Sequence, residues 1–275
     1  MRLSIYVVLV AYSEVARKRR HSKLMLIKAA LNGSRTRAEH PAIPVTPKQQ
    51  AIEAKAALEA GAGAIHVHIY GSDGQESLKA NDLSKSLEAI RAACPGVPIG
   101  VSTAAWIVPS LEQRLSLINT WEVLPDFASV NIHEEGAIQV AMALINKGVA
   151  VEAGVWNKDA AALLLESQLA SKCLRVLIEL LEQDVVEALA HLEKIEPILD
   201  NLQTKLPRLL HGENVIAWDL VRVAAARGYD TRIGFEDVLT LPDGSYAESN
   251  AVLVATACQI AAEASVVVSK SMPLS

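Results

Sequence analysis

Short apolar runs alternate with longer segments of helical spacing along the chain from residue 25 onward. The runs are rich in β-branched and aliphatic residues, which predicts strands. They are apolar at consecutive positions instead of alternating, as expected for parallel strands that are covered on both faces. We predict strands over residues 25–31, 64–69, 97–102, 127–131, 149–155, 173–179, 208–211 and 231–235.

The segments between these strands carry helix signals. The first begins with Thr46 as a cap, Pro47 at the first helical position and Gln49 three residues after the cap, and it stops at Gly61. We predict further helices over residues 82–93, 110–121, 137–147, 158–170, 185–199, 215–227 and 250–264. Strands that alternate with helices predict a parallel α/β fold.

The strict alternation fits a closed (β/α)₈ TIM barrel, whose typical length of about 250 residues is close to that of this chain. The alternative is a doubly wound sheet, which usually has a glycine-rich turn after its first strand. Here the corresponding turn, residues 32–36, contains only Gly33. We therefore predict a single catalytic barrel domain over residues 25–275, with its active site at the carboxyl ends of the strands.

Residues 1–24 do not follow this pattern. A short apolar run over residues 3–12 precedes a basic cluster at residues 17–20. The run is shorter than the roughly 20 residues that span a bilayer, and a signal peptide would carry its positive charges first. We expect these residues to be a disordered or mis-assigned extension of the folded domain.

Composition and charge exclude several classes of partner. The formal net charge is −5, without long single-sign runs, so we expect no nucleic-acid and no membrane partner. The cysteines Cys94, Cys173 and Cys258 lie far apart and form no C-x-x-C spacing. This excludes a zinc finger and a disulfide framework and is typical of buried, reduced thiols in a cytoplasmic protein.

His66 and His68 lie two residues apart in the second predicted strand. Residues at this spacing point to the same face of a strand, so both imidazoles project together. Two neutral imidazoles on one face are a natural first pair of ligands for Zn²⁺ or a similar ion. The alternative is a pair of buried structural histidines.

The eighth predicted strand leads into two adjacent carboxylates, Glu236 and Asp237, a few residues after Arg232. A carboxylate there can complete a metal site of two histidines and one carboxylate that keeps a position open for substrate. The second carboxylate can act as a base, and the arginine can bind a substrate carboxylate. The alternative is an ordinary solvated loop that caps a helix.

Polar residues also end most of the other predicted strands. They are Asn32, Arg35, Ser102, Thr103, Asn131, His133, Glu152, Trp156, Glu179, His211 and Glu213. Polar groups at so many strand ends favour an active site over a purely structural barrel. Each of them taken alone is as well suited to capping a helix or supporting another site residue as to catalysis.

In their order along the chain, these segments resemble the β-keto acid cleavage enzymes. The resemblance is carried by residues 30–36, 40–47, 61–68, 73–74, 101–103, 128–131, 151–156 and 232–237. It implies a (β/α)₈ barrel, a catalytic Zn²⁺ and a homotetramer. The implied reaction joins a β-keto acid with acetyl-CoA and gives acetoacetate and a new acyl-CoA.

The resemblance also implies roles for individual residues. The implied zinc ligands are His66, His68 and Glu236. The implied general base is Asp237, paired with or oriented by Arg232, and Ser102 is expected near the substrate carboxylate. The candidate substrate-binding residues are Asn32, Arg35, Thr103, Ser129, Asn131 and Glu152.

Four positions depart from the family pattern. Arg35 and Gly154 stand where that pattern leads us to expect glutamates, one of which recognises a substrate amino group. A pocket that loses two carboxylates and gains a guanidinium predicts a neutral or anionic β-keto acid. Tyr70 replaces an arginine and Val238 replaces an asparagine, which leaves the geometry around the site and its efficiency open.

Two other functions compete with this interpretation. A zinc hydrolase of the amidohydrolase type also uses an H-x-H pair, but on its first strand and with histidines on strands five and six, where this chain has Glu152 and Glu179. An inactive metal-binding barrel is the other alternative, with Tyr70 and Val238 as its support. Acetoacetate formation from acetyl-CoA distinguishes the enzyme from both.

Overall fold

The computed structural model describes residues 25–271, with side chains up to residue 264. Its strands are β1 Ile27–Ala30, β2 Ala64–Val67, β3 Ile99–Ser102, β4 Phe127–Asn131, β5 Ala150–Val155, β6 Arg175–Leu180, β7 Arg208–Gly212 and β8 Asp230–Ile233. They pair in parallel in chain order, and β8 pairs with β1, so the barrel is closed. This confirms the predicted (β/α)₈ barrel. The extension predicted over residues 1–24 lies outside the described residues.

Eight helices follow the strands within the described residues. They are α1 Pro47–Glu59, α2 Ala80–Ala93, α3 Leu111–Asn119, α4 Ala137–Lys147, α5 Lys158–Glu166, α6 Val185–Asp200, α7 Ala217–Arg227 and α8 Asn250–Ser271. Helix α1 has the predicted reciprocal cap between Thr46 and Gln49. Within the described residues, no helix combines the length and apolar character that crossing a bilayer requires.

The eighth strand ends earlier than predicted. The turn that ends it also positions two site residues. A Cβ at Gly234 would lie 1.9 Å from the carbonyl oxygen of Ala30, so only glycine fits against β1 here. The chain then turns, because the amides of Asp237 and Val238 donate to the carbonyl oxygen of Gly234 at 2.9 and 3.0 Å. The turn brings Glu236 and Asp237 to the carboxyl end of the barrel.

The three cysteines are free thiols. Cys94 is buried, whereas Cys173 and Cys258 are only partly buried. Burial raises the pKa of all three thiols, to about 12 for Cys173, so they are protonated at neutral pH. Protonated thiols are poor nucleophiles and poor metal ligands, which agrees with the absence of a cysteine motif in the sequence.

Candidate active site

His66, His68 and Glu236 face one another at the carboxyl end of the barrel. Nε2 of His66 lies 3.4 Å from Oε2 of Glu236, and Nε2 of His68 lies 3.4 Å from Oε1. One ligand atom from each of the three residues lies within 4.8 Å of the others. Both histidines are buried, and Glu236 is nearly so. The three side chains can therefore hold one divalent cation.

The donor atoms of this cluster fit a metal ion. Within the described residues, Oε2 of Glu236 is buried and receives no hydrogen bond. A buried carboxylate oxygen that receives no hydrogen bond is costly, and a cation would satisfy it. Burial alone would raise the pKa of Glu236, but the charges of Arg232, His66 and His68 outweigh it and hold that pKa well below its usual range. The ligand carboxylate is therefore ionised.

Glu76 connects the candidate metal cluster to the rim of the site, and the sequence did not single it out. One of its oxygens, Oε1, forms a short hydrogen bond with Nδ1 of His68, and the other accepts from Nε1 of Trp106 at 3.2 Å. A carboxylate on the far nitrogen of a histidine ligand fixes the ring and its tautomer. The sequence signal that could have identified Glu76 is the Asp73–Gly74 turn. This turn reverses the chain, so that Glu76 pairs with Tyr70, two residues after His68.

Glu76→Gln is expected to weaken metal binding by about 10- to 100-fold, because the amide no longer supports His68 with a full charge. Competition with a chromophoric chelator measures the affinity. Glu88→Gln is a matched control, since Glu88 is exposed on α2 and carries the same charge change. Equal metal affinity of the Glu76 variant and the wild type would remove Glu76 from this role.

Asp237 and Arg232 form a buried pair beside the metal cluster. Nε and Nη2 of Arg232 donate to Oδ1 of Asp237 at 3.1 and 2.7 Å, and Nη2 also donates to Oε1 of Glu236 at 2.9 Å. Burial would raise the pKa of Asp237, but Arg232 and His211 outweigh it and lower that pKa. Asp237 is therefore an ionised carboxylate at neutral pH, which is the form that a general base requires.

Besides Arg232, three titratable side chains lie near Asp237: Glu179, His211 and Glu213. His211, the fourth residue of β7, has Nδ1 at 3.4 Å from Oδ1 of Asp237 and Nε2 at 3.3 Å from Oε2 of Glu179. Burial, together with the charges of Asp237 and Glu179, raises the pKa of Glu213 to about 7. The sequence marked these residues only as polar strand ends, because it does not show which strand ends meet.

An open cavity of about 460 Å³ occupies the carboxyl end of the barrel. Of the predicted site residues, it is lined by Arg35, His66, His68, Ser102, Ser129, Asn131, Arg232 and Glu236. Its remaining lining includes Trp106, Trp156, Leu177, Leu181, Glu179, Glu213 and Asn214. The site therefore gathers residues from most of the barrel strands around the metal cluster.

Asn32 and Thr103 lie behind the cavity wall and hold it in place. The Asn32 side chain accepts from the amide of His68 and donates to the carbonyl oxygen of His68, both at 2.9 Å. Thr103 donates from Oγ1 to the carbonyl oxygen of Ser129 at 2.8 Å. Both side chains are buried, so the geometry gives them a positioning role, and a direct substrate contact by either stays a prediction.

Glu152 lies inside the barrel with no solvent exposure. Its Oε2 lies 2.5 Å from Nζ of Lys28 on β1, and its Oε1 lies 3.1 Å from Nε of Arg175 on β6. Burial lowers the pKa of Lys28, while the Glu152 charge opposes this. The contacts give Glu152 a structural role, since an unpaired buried charge would be strongly destabilising. A substrate contact of Glu152 stays a prediction.

Arg35 is fixed at the rim of the cavity by three strand-end loops. Its Nε donates to the carbonyl oxygen of Glu236 at 3.2 Å, its Nη2 to Oδ1 of Asn214 at 2.7 Å and its Nη1 to Oε1 of Glu39 at 3.3 Å. Asn214 has a φ of 53°, a left-handed conformation that is uncommon outside glycine. Its amide donates to the carbonyl oxygen of Asp237 at 2.7 Å, so Asn214 joins Arg35 to Asp237.

The other departures from the family pattern have defined surroundings. The hydroxyl of Tyr70 donates to the carbonyl oxygen of Gly33 at 2.7 Å, which ties the loop after β2 to the loop after β1. Val238 packs in the hydrophobic core. A Cβ at Gly154 would lie 2.8 Å from Oδ1 of Asn131, so a glutamate there would displace Asn131 from its place in the cavity wall.

Fold and site together define a class of protein: a (β/α)₈-barrel enzyme with a three-residue cluster that could hold a metal ion and a buried carboxylate–arginine pair at the end of the barrel where such enzymes carry their active sites. Comparison with protein families shows to which family of such enzymes the chain belongs. The family model of beta-keto acid cleavage enzyme matches residues 24–201 and 187–271. The chain belongs to the beta-keto acid cleavage enzyme family, as its motifs predicted.

Individual relatives agree with this membership. A 3-keto-5-aminohexanoate cleavage enzyme of Fusobacterium nucleatum subsp. nucleatum is 27% identical over 265 residues, which are 87% of this chain and 92% of the relative. A 3-oxoadipate:acetyl-CoA acetyltransferase of Cupriavidus necator is 37% identical over 79 residues, 28% of each chain.

A solved structure supports the barrel fold. ObcA, in a ternary complex with C4-CoA adduct and oxalate, has a TM-score of 0.62 and 17% identity to this chain. The similar region covers 84% of this chain and 64% of ObcA, so the chain spans less than two thirds of that protein. At this identity the likeness extends to the fold alone.

Proposed function

We propose that the protein is a Zn²⁺-dependent enzyme that converts a β-keto acid and acetyl-CoA into acetoacetate and a new acyl-CoA. The observation that carries the proposal is the sharing of Arg232 between Glu236 of the metal cluster and Asp237 beside it. This arrangement puts a potential base next to the place where a metal ion would hold the substrate carbonyl. The name of the Cupriavidus necator relative, an acetyl-CoA acetyltransferase for 3-oxoadipate, supports the acyl-transfer chemistry.

The ligand set supports zinc as the metal. Two imidazoles and one carboxylate with a position open to the cavity are a common catalytic zinc site. The bound ion would supply Lewis-acid stabilisation for the negative charge that develops on the keto oxygen. Arg232 adds a fixed positive charge beside Glu236 and Asp237. This charge would offset the substrate carboxylate, which otherwise opposes the formation of a second negative charge on the substrate.

Asp237 is the proposed general base. It removes a proton from the carbon between the keto group and the carboxylate of the substrate. The resulting carbanion attacks the acetyl thioester, and the CoA thiolate leaves. That thiolate then attacks the original keto carbon. The bond between this carbon and the former α carbon breaks, which releases the new acyl-CoA. The acetoacetate carbanion that remains takes the proton back from Asp237. Ser102, Ser129 and Asn131 line the cavity together with His66, His68 and Glu236, and they are the proposed ligands of the substrate carboxylate.

Arg35 supports a neutral or anionic β-keto acid as substrate. Arg35→Glu is expected to reduce kcat/KM for a dicarboxylic β-keto acid by about 10- to 100-fold, the scale of a lost charge-assisted hydrogen bond with added repulsion. The value for a neutral β-keto acid should change much less. Steady-state kinetics with the two substrates measure both values.

Arg37→Glu is the matched control for this prediction, because Arg37 lies in the same loop, is exposed and carries the same charge. Its kinetics with both substrates should match the wild type. A wild-type enzyme that prefers an amino-substituted, cationic β-keto acid would contradict the proposed substrate class.

We also propose that the enzyme works as a homotetramer in the cytoplasm. The free thiols of Cys94, Cys173 and Cys258 are compatible with a reducing compartment. Size-exclusion chromatography with light scattering measures the oligomeric state directly.

A screen of β-keto acids with acetyl-CoA tests the proposed reaction, with acetoacetate as the readout and metal analysis of the same preparation. Acetoacetate that requires both acetyl-CoA and the bound metal supports the proposal. Bound metal without turnover favours an inactive metal-binding barrel instead. Hydrolysis that does not need acetyl-CoA favours a hydrolase of the amidohydrolase type.

A further inference from the structure

The two carboxylate oxygens of Asp237 have different surroundings. Oδ1 accepts two hydrogen bonds from Arg232, at 3.1 and 2.7 Å, and lies 3.4 Å from Nδ1 of His211. Oδ2 is buried and has no hydrogen-bond partner among the described residues. One oxygen is therefore held by Arg232 and lies beside the His211 ring, while the other has no protein partner among the described residues.

His211 reaches Asp237 because strands β6 and β7 place it there. Glu179 and His211 are direct partners in the β6–β7 register, so their side chains leave the sheet together. Nε2 of His211 lies 3.3 Å from Oε2 of Glu179, which orients the ring and leaves Nδ1 facing Asp237. His211 itself is buried, and Glu179 rather than His211 lines the cavity.

The loop after β7 also fixes the backbone of Asp237. The amide of Asn214 donates to the carbonyl oxygen of Asp237 at 2.7 Å, three residues beyond His211. The same stretch of chain therefore contacts both the main chain and the side chain of the proposed base. Such a double contact restricts the position of a residue more than the Arg232 pair alone.

We propose that His211, held by Glu179, is a positioning residue that fixes the plane of the Asp237 carboxylate so that Oδ2 removes the substrate proton. The proposal rests on the proposed function, since it assigns Asp237 as the base. Both bonds from Arg232 end on Oδ1, and rotation about the last torsion of an aspartate is soft. A second contact, from His211 on another strand at 3.4 Å, restricts the carboxylate to the narrow range of orientations that proton transfer requires.

Two amide substitutions at position 211 separate the contact with Asp237 from the contact with Glu179. In His211→Asn the side-chain nitrogen lies near the place of Nδ1 and can still donate to Asp237. In His211→Gln the amide reaches instead toward Glu179. We expect kcat of the Gln variant to fall about a hundredfold, the scale of a misplaced reacting group, with KM nearly unchanged. The kcat of the Asn variant should be at least about tenfold higher than that of the Gln variant.

The primary isotope effect with an α-deuterated keto acid gives a readout that a purely structural residue would not change. It should increase in the Gln variant, because proton removal becomes slower relative to the other steps. Equal kcat in the two amide variants, a loss that appears only in KM, or an unchanged isotope effect would each overturn the proposal. If the Gln variant does not fold, His211→Leu takes its place in the same comparison.

Exchange of the α-hydrogens with deuterium from solvent separates this inference from the proposed reaction. The metal-loaded enzyme is incubated with the keto acid in D₂O without acetyl-CoA, and exchange above the uncatalysed rate is followed by NMR. A wild type that exchanges but forms no acetoacetate overturns the acyl-transfer reaction alone. A Gln variant that exchanges as fast as the wild type overturns the role of His211 alone. A wild type that shows neither activity overturns both.

Discussion

Asp237→Asn is expected to lower kcat for acetoacetate formation at least about a thousandfold, the order expected for the loss of a positioned general base. The amide has nearly the shape of the carboxylate, but it cannot take a proton from the substrate. It also leaves the proposed metal ligands His66, His68 and Glu236 in place, so the zinc content of the variant should equal that of the wild type. Steady-state kinetics and metal analysis of the same preparation check both expectations.

Asp237→Asn also removes a buried negative charge beside Arg232. Its effect on stability therefore needs a measurement and a control variant with the same charge change. Arg232 loses one of its two carboxylate partners in Asp237→Asn but keeps Glu236 at 2.9 Å, so its buried charge stays paired. The Tm of the variant should therefore fall only modestly. Asp243→Asn is the matched control, because Asp243 is exposed and its side chain accepts hydrogen bonds from the neighbouring Ser245. A loss of activity much below a thousandfold, with zinc retained, would remove Asp237 from the base role.

The fold could be predicted from the sequence because its signals are local. Apolar runs, helix caps and the Pro47 start of α1 each depend on a few neighbouring residues, and the closed barrel follows from their number and order. The end of the eighth strand was predicted two residues too late. Its position depends on the contact of Gly234 with Ala30, which are about 200 residues apart in the chain.

The site was predictable to the extent that its residues carry their own signal. His66 and His68 share a face because of their spacing, and Glu236 follows from the family motif. The pairing of His211 with Glu179 depends on the β6–β7 register, which apolar strands do not reveal in the sequence. Glu76 required recognition that the loop after β2 folds back on itself.

Glu152 illustrates the limit of such signals. A carboxylate in an apolar strand at the family motif 151–156 suggests a functional group in the site. Its counter-ions, Lys28 and Arg175, come from strands β1 and β6, and together the three side chains form a buried ion cluster inside the barrel. Only the closed barrel brings these strands around Glu152, so its partners become visible only in three dimensions.

Removal of the metal is expected to have the second large effect. Glu236→Gln replaces the carboxylate of a proposed metal ligand by a neutral amide of the same size, and it leaves Arg232 paired with Asp237. We expect the variant to lose zinc during dialysis and to lose activity at least about a thousandfold, because the Lewis acid and its placement disappear together. Chelation of the wild type should produce the same loss, and added zinc should restore activity only in the wild type.

Thermal unfolding provides a readout of metal binding that does not depend on catalysis. Zinc at a thousand times its Kd stabilises the folded state by about 4 kcal/mol, which corresponds to a rise in Tm on the order of 10 °C for a chain of this size. The rise should be absent in Glu236→Gln and normal in Glu248→Gln, since Glu248 is exposed and is not a member of the cluster. A zinc-dependent rise in Tm that survives Glu236→Gln would place the metal at other ligands. Because Arg232 joins Glu236 to Asp237, that result would also separate the proposed base from the metal.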